Sequence, residues 1–433
     1  MDILVELPVE LSIRVLEYLT PAESIRLRLV SKSFHSLLTS EEVCRSLSHR
    51  FVKREYNSAK KLESWRLHYE NHVSRRLSFG SGKAWLTESL PLMYLKSFCP
   101  ETLYLAGALG SERDTVQVLD LNTYPAALVF PPTRMPDSSK VKRVTLLPSF
   151  VVALTTTNRG YSWNLETRRV YQFEAPERDD PADGFITGNG NLIAIPSRDF
   201  VMVHDVQAEK SSKFGSISVD TESREWMGSV PEYLGSFAVA NAEKRVVWIL
   251  RKFAYIDFFE PEPYAMDGLY WEAGKVVAGE LSNYPYSVQP YCEDGYWQLW
   301  GVESLLCRPG PTKETTHAQT SRAIFDTRTG AWTKGKYSVI FPSRFKMTRS
   351  CSSLRTRSDG LGCLVENRPE LQVWMLDQKP GHWVAHARPL DPNILTKDWN
   401  LFSFNCFGLS DKFVLLGDST EEAVVVRFRG IHE

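Results

Sequence analysis

Several groupings of residues invite a chemical reading. Gly80-Ser81-Gly82-Lys83-Ala84 has the glycines and the lysine of a phosphate cradle, in which backbone N–H groups and an ammonium hold phosphate oxygens. That cradle needs Gly at 77 and Ser or Thr at 84, where the chain has Leu77 and Ala84. His68 and His72 stand four apart, the spacing of two ligands on one helix face. Glu70 is misplaced for a zinc-protease base and no third ligand follows, so both histidines read as surface residues. His382 and His386 repeat the spacing in strand-like sequence, where it does not converge. Gly188-Asn189-Gly190 lacks a third glycine and a following helix and reads as a turn. There is no Gly-x-Ser-x-Gly elbow, the cysteines lack a Cys-His signature, and no carboxylate pair can be named. No catalytic residue, cofactor or metal ligand is assigned.

Basic residues give a second kind of chemistry. Residues 327–358 hold Arg328, Lys334, Lys336, Arg344, Lys346, Arg349, Arg355 and Arg357 without one acid. Arg308, Arg322, Arg344, Arg349, Arg355 and Arg357 are the candidate target-binding residues, as an anion-reading rim for an acidic or phosphorylated peptide. The plainer reading disperses these cations over strands, balanced by acids such as Asp257, Glu260 and Glu262.

The elements that would position such groups fall into two textures. Leu7, Leu11, Val15, Leu16 and Leu19 recur at helical spacing, with Pro8 in the first turn, where its missing N–H is not needed. Thr20-Pro21-Ala22-Glu23 starts a second helix, with Thr20 as cap and Pro21 at the first helical position, carrying Ile25, Leu29 and Val30. A third helix holds Phe34, Leu37 and Leu38, and Thr39-Ser40-Glu41-Glu42 repeats the capping pattern. Three short helices in about 40 residues make a bundle that is marginal on its own core.

The segment Leu7–Leu47 resembles an F-box. The family's Leu-Pro opening is Leu7-Pro8, its Glu is Glu10, and its apolar run is Val15-Leu16-Glu17-Tyr18-Leu19. The later signature is Val30-Ser31-Lys32-Ser33-Phe34. Ser24 stands where Asp is common, and Cys44 lies near a position often held by Trp. The resemblance implies a Skp-type adaptor as partner and, through it, a cullin-RING ligase core. It places adaptor binding on Leu7, Pro8, Leu11, Val15, Leu16, Leu19, Ile25, Val30 and Phe34. Part of this apolar set must then face outward, under a second protein.

Residues 45–76 carry nine basic residues against three acidic ones, and Leu62, Trp65, Tyr69 and Val73 fall at three-to-four spacing. This reads as a basic amphipathic helix with a solvated charged face. Many F-box proteins have a similar helix joining the box rigidly to the substrate domain.

From about residue 90 the texture changes to short apolar or alternating runs, broken by Gly, Pro, Asn and Asp and rich in aromatics. Strand-plus-turn segments recur: VQVLDLNT, YSWNLET, VMVHDVQA, AIFDTRT, LQVWMLDQ and AVVVRFR. Their turn residues Asp120, Asn164 and Asp205 are about 40–45 apart, the length of a four-stranded propeller blade, and Tyr255-Ile256-Asp257 marks a further unit. Arg308–Ser321 reads as the longest inter-strand loop. The expected class is α+β and multidomain: a helical head at 1–50, a linker helix at 51–80 and an all-β body at 81–433. The body is read as a seven-bladed β-propeller, with six or eight blades also fitting the length and a double sandwich as competitor.

Composition bounds the rest. The 433 residues carry 51 Lys+Arg against 52 Asp+Glu, which excludes a surface built wholly for nucleic acid or anionic membrane. No apolar run reaches 18 residues, the acidic N-terminus lacks signal-peptide features, and seven scattered cysteines form no Cys-x-x-Cys. The expected compartment is reducing, cytoplasmic or nuclear. The function implied by the F-box resemblance, and expected here, is that of a non-catalytic substrate-recognition subunit of an SCF-type ubiquitin ligase. An adaptor-bound scaffold without cullin and a propeller enzyme with a helical appendage are the alternatives.

Overall fold

The helices among the described residues begin where the sequence offers caps. A computed structural model of the chain describes residues 6–16, 18, 19, 21–51, 64–82, 84–176, 187–196, 201–214, 233–241, 246–253, 261–265, 291–293, 296–301, 308, 309, 315–326, 331–342, 351–356, 361–366, 372–379, 382–385, 390, 405–417 and 423–431. Helix α1 spans Val9–Leu16, α2 Pro21–Leu27, α3 Lys32–Leu38, α4 Glu41–Phe51 and α5 Trp65–Gly80. The Pro8 carbonyl accepts the first bonds of α1, from the Leu11 and Ser12 amides. Pro21 opens α2, as expected. The Ser31 hydroxyl caps α3 by accepting from the Phe34 amide at 3.1 Å. Thr39 serves as the C-cap of α3, and Ser40 accepts from the Val43 amide to start α4. The capping pattern there is thus divided between the end of one helix and the start of the next.

Gly80-Ser81-Gly82 is the end of α5. The Ser81 amide donates to the Leu77 carbonyl and the Gly82 amide to that of Phe79, with Gly82 at φ +69°. These glycines stop a helix and do not cradle phosphate.

Strand β1 (Leu86–Ser89) leads into antiparallel meanders. The first is β2 (Tyr94–Cys99), β3 (Tyr104–Leu109), β4 (Thr115–Asp120) and β5 (Ala127–Arg134). The second is β6 (Val141–Leu146), β7 (Phe150–Thr155), β8 (Arg159–Asn164) and β9 (Val170–Glu174). The third is β10 (Thr187–Asn189), β11 (Leu192–Pro196), β12 (Val201–Asp205) and β13 (Lys210–Phe214). Then come β14 (Tyr233–Asn241), β15 (Val246–Phe253) and β16 (Pro261–Ala265) as a three-stranded sheet.

A nine-stranded sheet follows. It joins β17 (Tyr291–Glu293), β18 (Tyr296–Gly301), β19 (Arg308–Pro309), β20 (Thr315–Asp326) and β21 (Ala331–Pro342) to a second meander. That meander is β22 (Cys351–Thr356), β23 (Leu361–Glu366), β24 (Gln372–Lys379) and β25 (His382–Ala385), and the junction is a parallel pairing of β21 with β25. The last sheet contains β26 (Asn405–Leu409), β27 (Phe413–Gly417) and β28 (Ala423–Arg427), and takes its fourth strand from the start of the body, β1 paired with β28.

Two features make this body propeller-like. First strands of successive meanders pack side by side: β2 against β6, β6 against β10, β10 against β14, β22 against β26, and β26 back against β2. An N-terminal strand completes the C-terminal sheet and so closes the ring. The recurrent sequence segment is the third strand of each meander plus its turn. Asp120 accepts from the backbone amide two positions on, and Asn164 and Asp205 from those two and three positions on, the Asx turn that reverses the chain into the fourth strand.

The body differs from expectation in two places. Residues 315–321 of the expected long loop belong to β20, paired residue by residue with β21. Their three threonines suit a strand, whose polarity hid it from an apolar-pattern reading. In Gly188-Asn189-Gly190 the first two residues end β10, and Gly190 alone takes positive φ. Tyr255-Ile256-Asp257 lies outside the described residues.

Candidate functional site

The head has a closed core of its own. Leu16, Leu38, Val43, Cys44 and Leu47 are buried together with Tyr69 and Val73 of α5, and Val9, Ile13, Leu19, Leu27, Leu37 and Trp65 pack against them. With that interior filled, several large apolar side chains remain outside. Leu11 is 46% exposed, Val15 41%, Tyr18 81%, Leu29 84% and Val30 64%. Leu11, Val15 and Tyr18 follow one another at spacings of four and three, along and just beyond α1. Leu29 and Val30 sit in the turn that ends α2.

This divides the nine residues expected at an adaptor surface. Leu11, Val15 and Val30 are exposed, Pro8 is exposed, and Leu7 is half-buried. Leu19 is half-buried against the core. The Ile25 side chain lies outside the described residues. Leu16, at 1% exposure, and Phe34, at 9%, are buried in the free chain, Leu16 within the head core. Tyr18 and Leu29 were missed. For Tyr18 the signal was present, one helical turn beyond Val15 on the same stripe.

Helix α5 is no free linker. Ser64 caps it by accepting from the Leu67 amide, and the Glu41 carboxylate ties that end to α4 by accepting from the Ser64 hydroxyl and the Trp65 amide. Arg28 donates to Glu70 Oε1 at 2.7 Å and to the Leu38 carbonyl at 2.8 Å. On another face, Phe79 enters the core between the last two meanders and packs on Phe428, with ring centroids 4.8 Å apart.

Between these contacts lies a buried polar cluster. Asp411, in the turn between β26 and β27, accepts at Oδ2 from Arg75 Nε at 3.0 Å and Nη2 at 2.7 Å. His72 Nδ1 lies 3.0 Å from the same oxygen. Burial alone would raise the Asp411 carboxyl, but the Arg75 guanidinium and the His72 hydrogen bond hold it well below the usual carboxylate range. The expectation of a surface His72 is therefore corrected, as is that of a solvated face at Arg75 and Arg76, while Arg45 and Arg66 are exposed as expected. His72, Arg75 and Arg76 are all buried, because that face of the helix meets the body. No short-range pattern marks Asp411, whose partners lie more than 330 residues earlier.

Three of the candidate target-binding arginines lie in described strands. Arg308 pairs opposite His317, while Arg322 lies five residues further along the same β20, roughly 17 Å away at strand rise. Arg355 is on β22, at the far side of that sheet, roughly 24 Å across five strand spacings. Arg344, Arg349 and Arg357 lie outside the described residues, as does His386.

Among the described residues no group of three or more His, Cys, Asp and Glu could hold a metal ion. None of the described helices is long and apolar enough to cross a membrane. Burial pushes the Cys44 thiol up to about 11 and that of Cys99 up to about 12, so both are protonated and poorly nucleophilic near neutrality.

Residues 4–46 match the family model of the F-box domain. The chain matches no curated protein. Solved structures similar to it include a chain of the mitotic checkpoint complex, 11% identical, covering 80% of this chain and 95% of that one at a TM-score of 0.41. Another is the computationally designed Ika8 protein, 9% identical, covering 78% and 98% at 0.40. A third is BamB from Moraxella catarrhalis, 8% identical, covering 78% and 85% at 0.37. The head is an F-box domain, carried by a propeller-like β body.

Proposed function

We propose that this F-box adaptor protein is the substrate-recognition subunit of an SCF-type ubiquitin ligase. The F-box binds a Skp-type adaptor and through it a cullin-RING core, and the β body, read as seven blades, holds the target. The observation that carries this reading is the outward apolar set Leu11, Val15, Tyr18, Leu29 and Val30 on a head whose core is already filled. Exposed side chains of this size in one small bundle are accounted for when a second protein covers them. The contribution to ubiquitin transfer is proximity, with no covalent step on this chain.

The division into head, linker helix and body at 1–50, 51–80 and 81–433 belongs to this proposal, as do a cytoplasmic or nuclear setting and the arginine positions. Arg322 and Arg355, with Arg308, Arg344, Arg349 and Arg357, are the residues to substitute first once a target is in hand.

Co-expression with a Skp-type adaptor, followed by size-exclusion chromatography and a cullin pulldown, tests the reading. A stoichiometric complex that is lost in Leu29→Asp supports it. A folded chain that ignores the adaptor overturns it. Adaptor binding without cullin recruitment replaces the ligase reading with that of a scaffold.

A further inference from the structure

Helix α5 is shared between the head and the body. At about 100° per residue, Trp65, Tyr69 and Val73 form one stripe, and His72, Arg75 and Phe79 form another roughly a quarter of a turn away. The first stripe completes the head core, and the second meets the β26–β27 turn and the core beneath β28. The first stripe occupies the N-terminal half of α5 and the second the C-terminal half, meeting at Val73 and His72, so one helix carries the head contacts directly into the body contacts.

The body's side of this contact comes from the last part of the chain. Ser410 builds the turn by accepting at Oγ from the Lys412 and Phe413 amides, which leaves Asp411 directed at α5. Gly430 approaches Asn71 so closely that a Cβ there would stand 2.6 Å from its Oδ1. From the other end, α5 leads within a few residues into β1, the strand that completes the sheet containing that turn.

We infer that Asp411 is a positioning residue for the head: it sets the orientation of the F-box relative to the β body by holding His72 and Arg75 of α5, and only a closed ring presents it. The hydrophobic contact at Phe79 and the close approach of Gly430 to Asn71 seat the helix on the body, and the Asp411 cluster adds directional bonds between them. A carboxylate that takes two donors from one guanidinium and a third bond from an imidazole fixes direction as well as distance. A body lacking its last meander would then carry an F-box without a fixed orientation. The consequence for ubiquitin transfer rests on the function proposed above, whereas the orientation itself does not.

The test uses the full chain without any partner. Spin labels are introduced through unnatural amino acids at the exposed positions Glu42 of the head and Glu166 of the body, and their distance distribution is measured. Wild type is expected to give one narrow distance. Asp411→Arg and Arg75→Asp should each broaden it, and the Asp411→Arg/Arg75→Asp exchange should narrow it again, which a general loss of stability would not do. Arg75→Met tests the same point with the β26–β27 turn untouched, should Asp411 variants fold poorly. A narrow, wild-type distance in Arg75→Met, or equal broadening in the exchange and in both single variants, overturns the inference. Because no adaptor is present, this result stands apart from whether the head binds one.

Discussion

Arg427 donates to Glu88 Oε2 from both Nε, at 2.9 Å, and Nη2, at 2.7 Å, pairing the last strand of the body with the first across 339 positions. The same guanidinium donates through Nη1 to the Leu121 carbonyl, and Glu88 Oε1 accepts from the Ala126 amide. One ion pair therefore ties three segments: the strand that closes the ring, the strand it closes upon and the neighbouring meander. Its side chains are 6% and 12% exposed.

Breaking a pair buried to this degree leaves an uncompensated charge, which costs about 3–5 kcal/mol. Arg427→Met is expected to lower the stability of the body by that amount, read as a shift in the urea midpoint. Glu88→Gln should cost less, since the amide oxygen still accepts. Equal, negligible shifts in both would show that the ladder alone closes the ring.

Gly160 of β8 pairs opposite Phe173 of β9, and a Cβ at 160 would stand 2.0 Å from the Phe173 ring. The ring has little room to retreat, because the His204 imidazole lies on it with centroids 3.9 Å apart. Gly160→Ala is expected to cost about 1–3 kcal/mol, as overpacking does. Adding Phe173→Leu should recover part of the loss, so the double variant is non-additive by chemical denaturation.

Burial brings His204 down to about 4, and its Nδ1 lies 2.6 Å from the Ser211 hydroxyl. A histidine that stays neutral when folded but titrates near 6.5 when unfolded stabilises the protein fully above that pH. As pH falls from 6.5 towards 4 the unfolded state binds the extra proton, and up to about 3 kcal/mol is lost. Thermal unfolding midpoints should decline through that window. They should decline less in His204→Gln, and identical pH profiles would remove His204 as the cause. Asp411 acts lower, keeping its stabilisation above the ordinary carboxylate range and losing it only as pH falls beneath.

Much of this organisation was legible in local pattern. The F-box motif, the Pro21 helix start and the recurrence at Asp120, Asn164 and Asp205 all depend on residues within a few positions of one another. The side-chain oxygen that makes the turn is in each case the residue that marks the period. What stayed hidden depends on contacts between distant segments. His72 and Arg75 look like part of a solvated charge run until Asp411 folds against them, and residues 315–321 of β20 carry too little apolar periodicity to be seen without β21. The same limit applies within the head, where a motif places Leu16 and Val15 side by side but only packing separates the core residue from the surface one.

That separation gives the sharpest prediction about the head. Leu16 is 1% exposed within the core formed with Leu38, Leu47 and Tyr69, so Leu16→Ala should cost about 2–5 kcal/mol. It should abolish adaptor binding by unfolding the head, with loss of amide-exchange protection in α1 and α4. Leu29 is 84% exposed and Tyr18 81%, so Leu29→Asp and Tyr18→Asp should keep that protection and the same unfolding midpoint while binding falls at least about tenfold, as for a lost interface anchor. Hydrogen exchange on the free chain, alongside adaptor affinity by calorimetry, separates the two classes. Undiminished affinity in both surface variants would move the docking face elsewhere on the head.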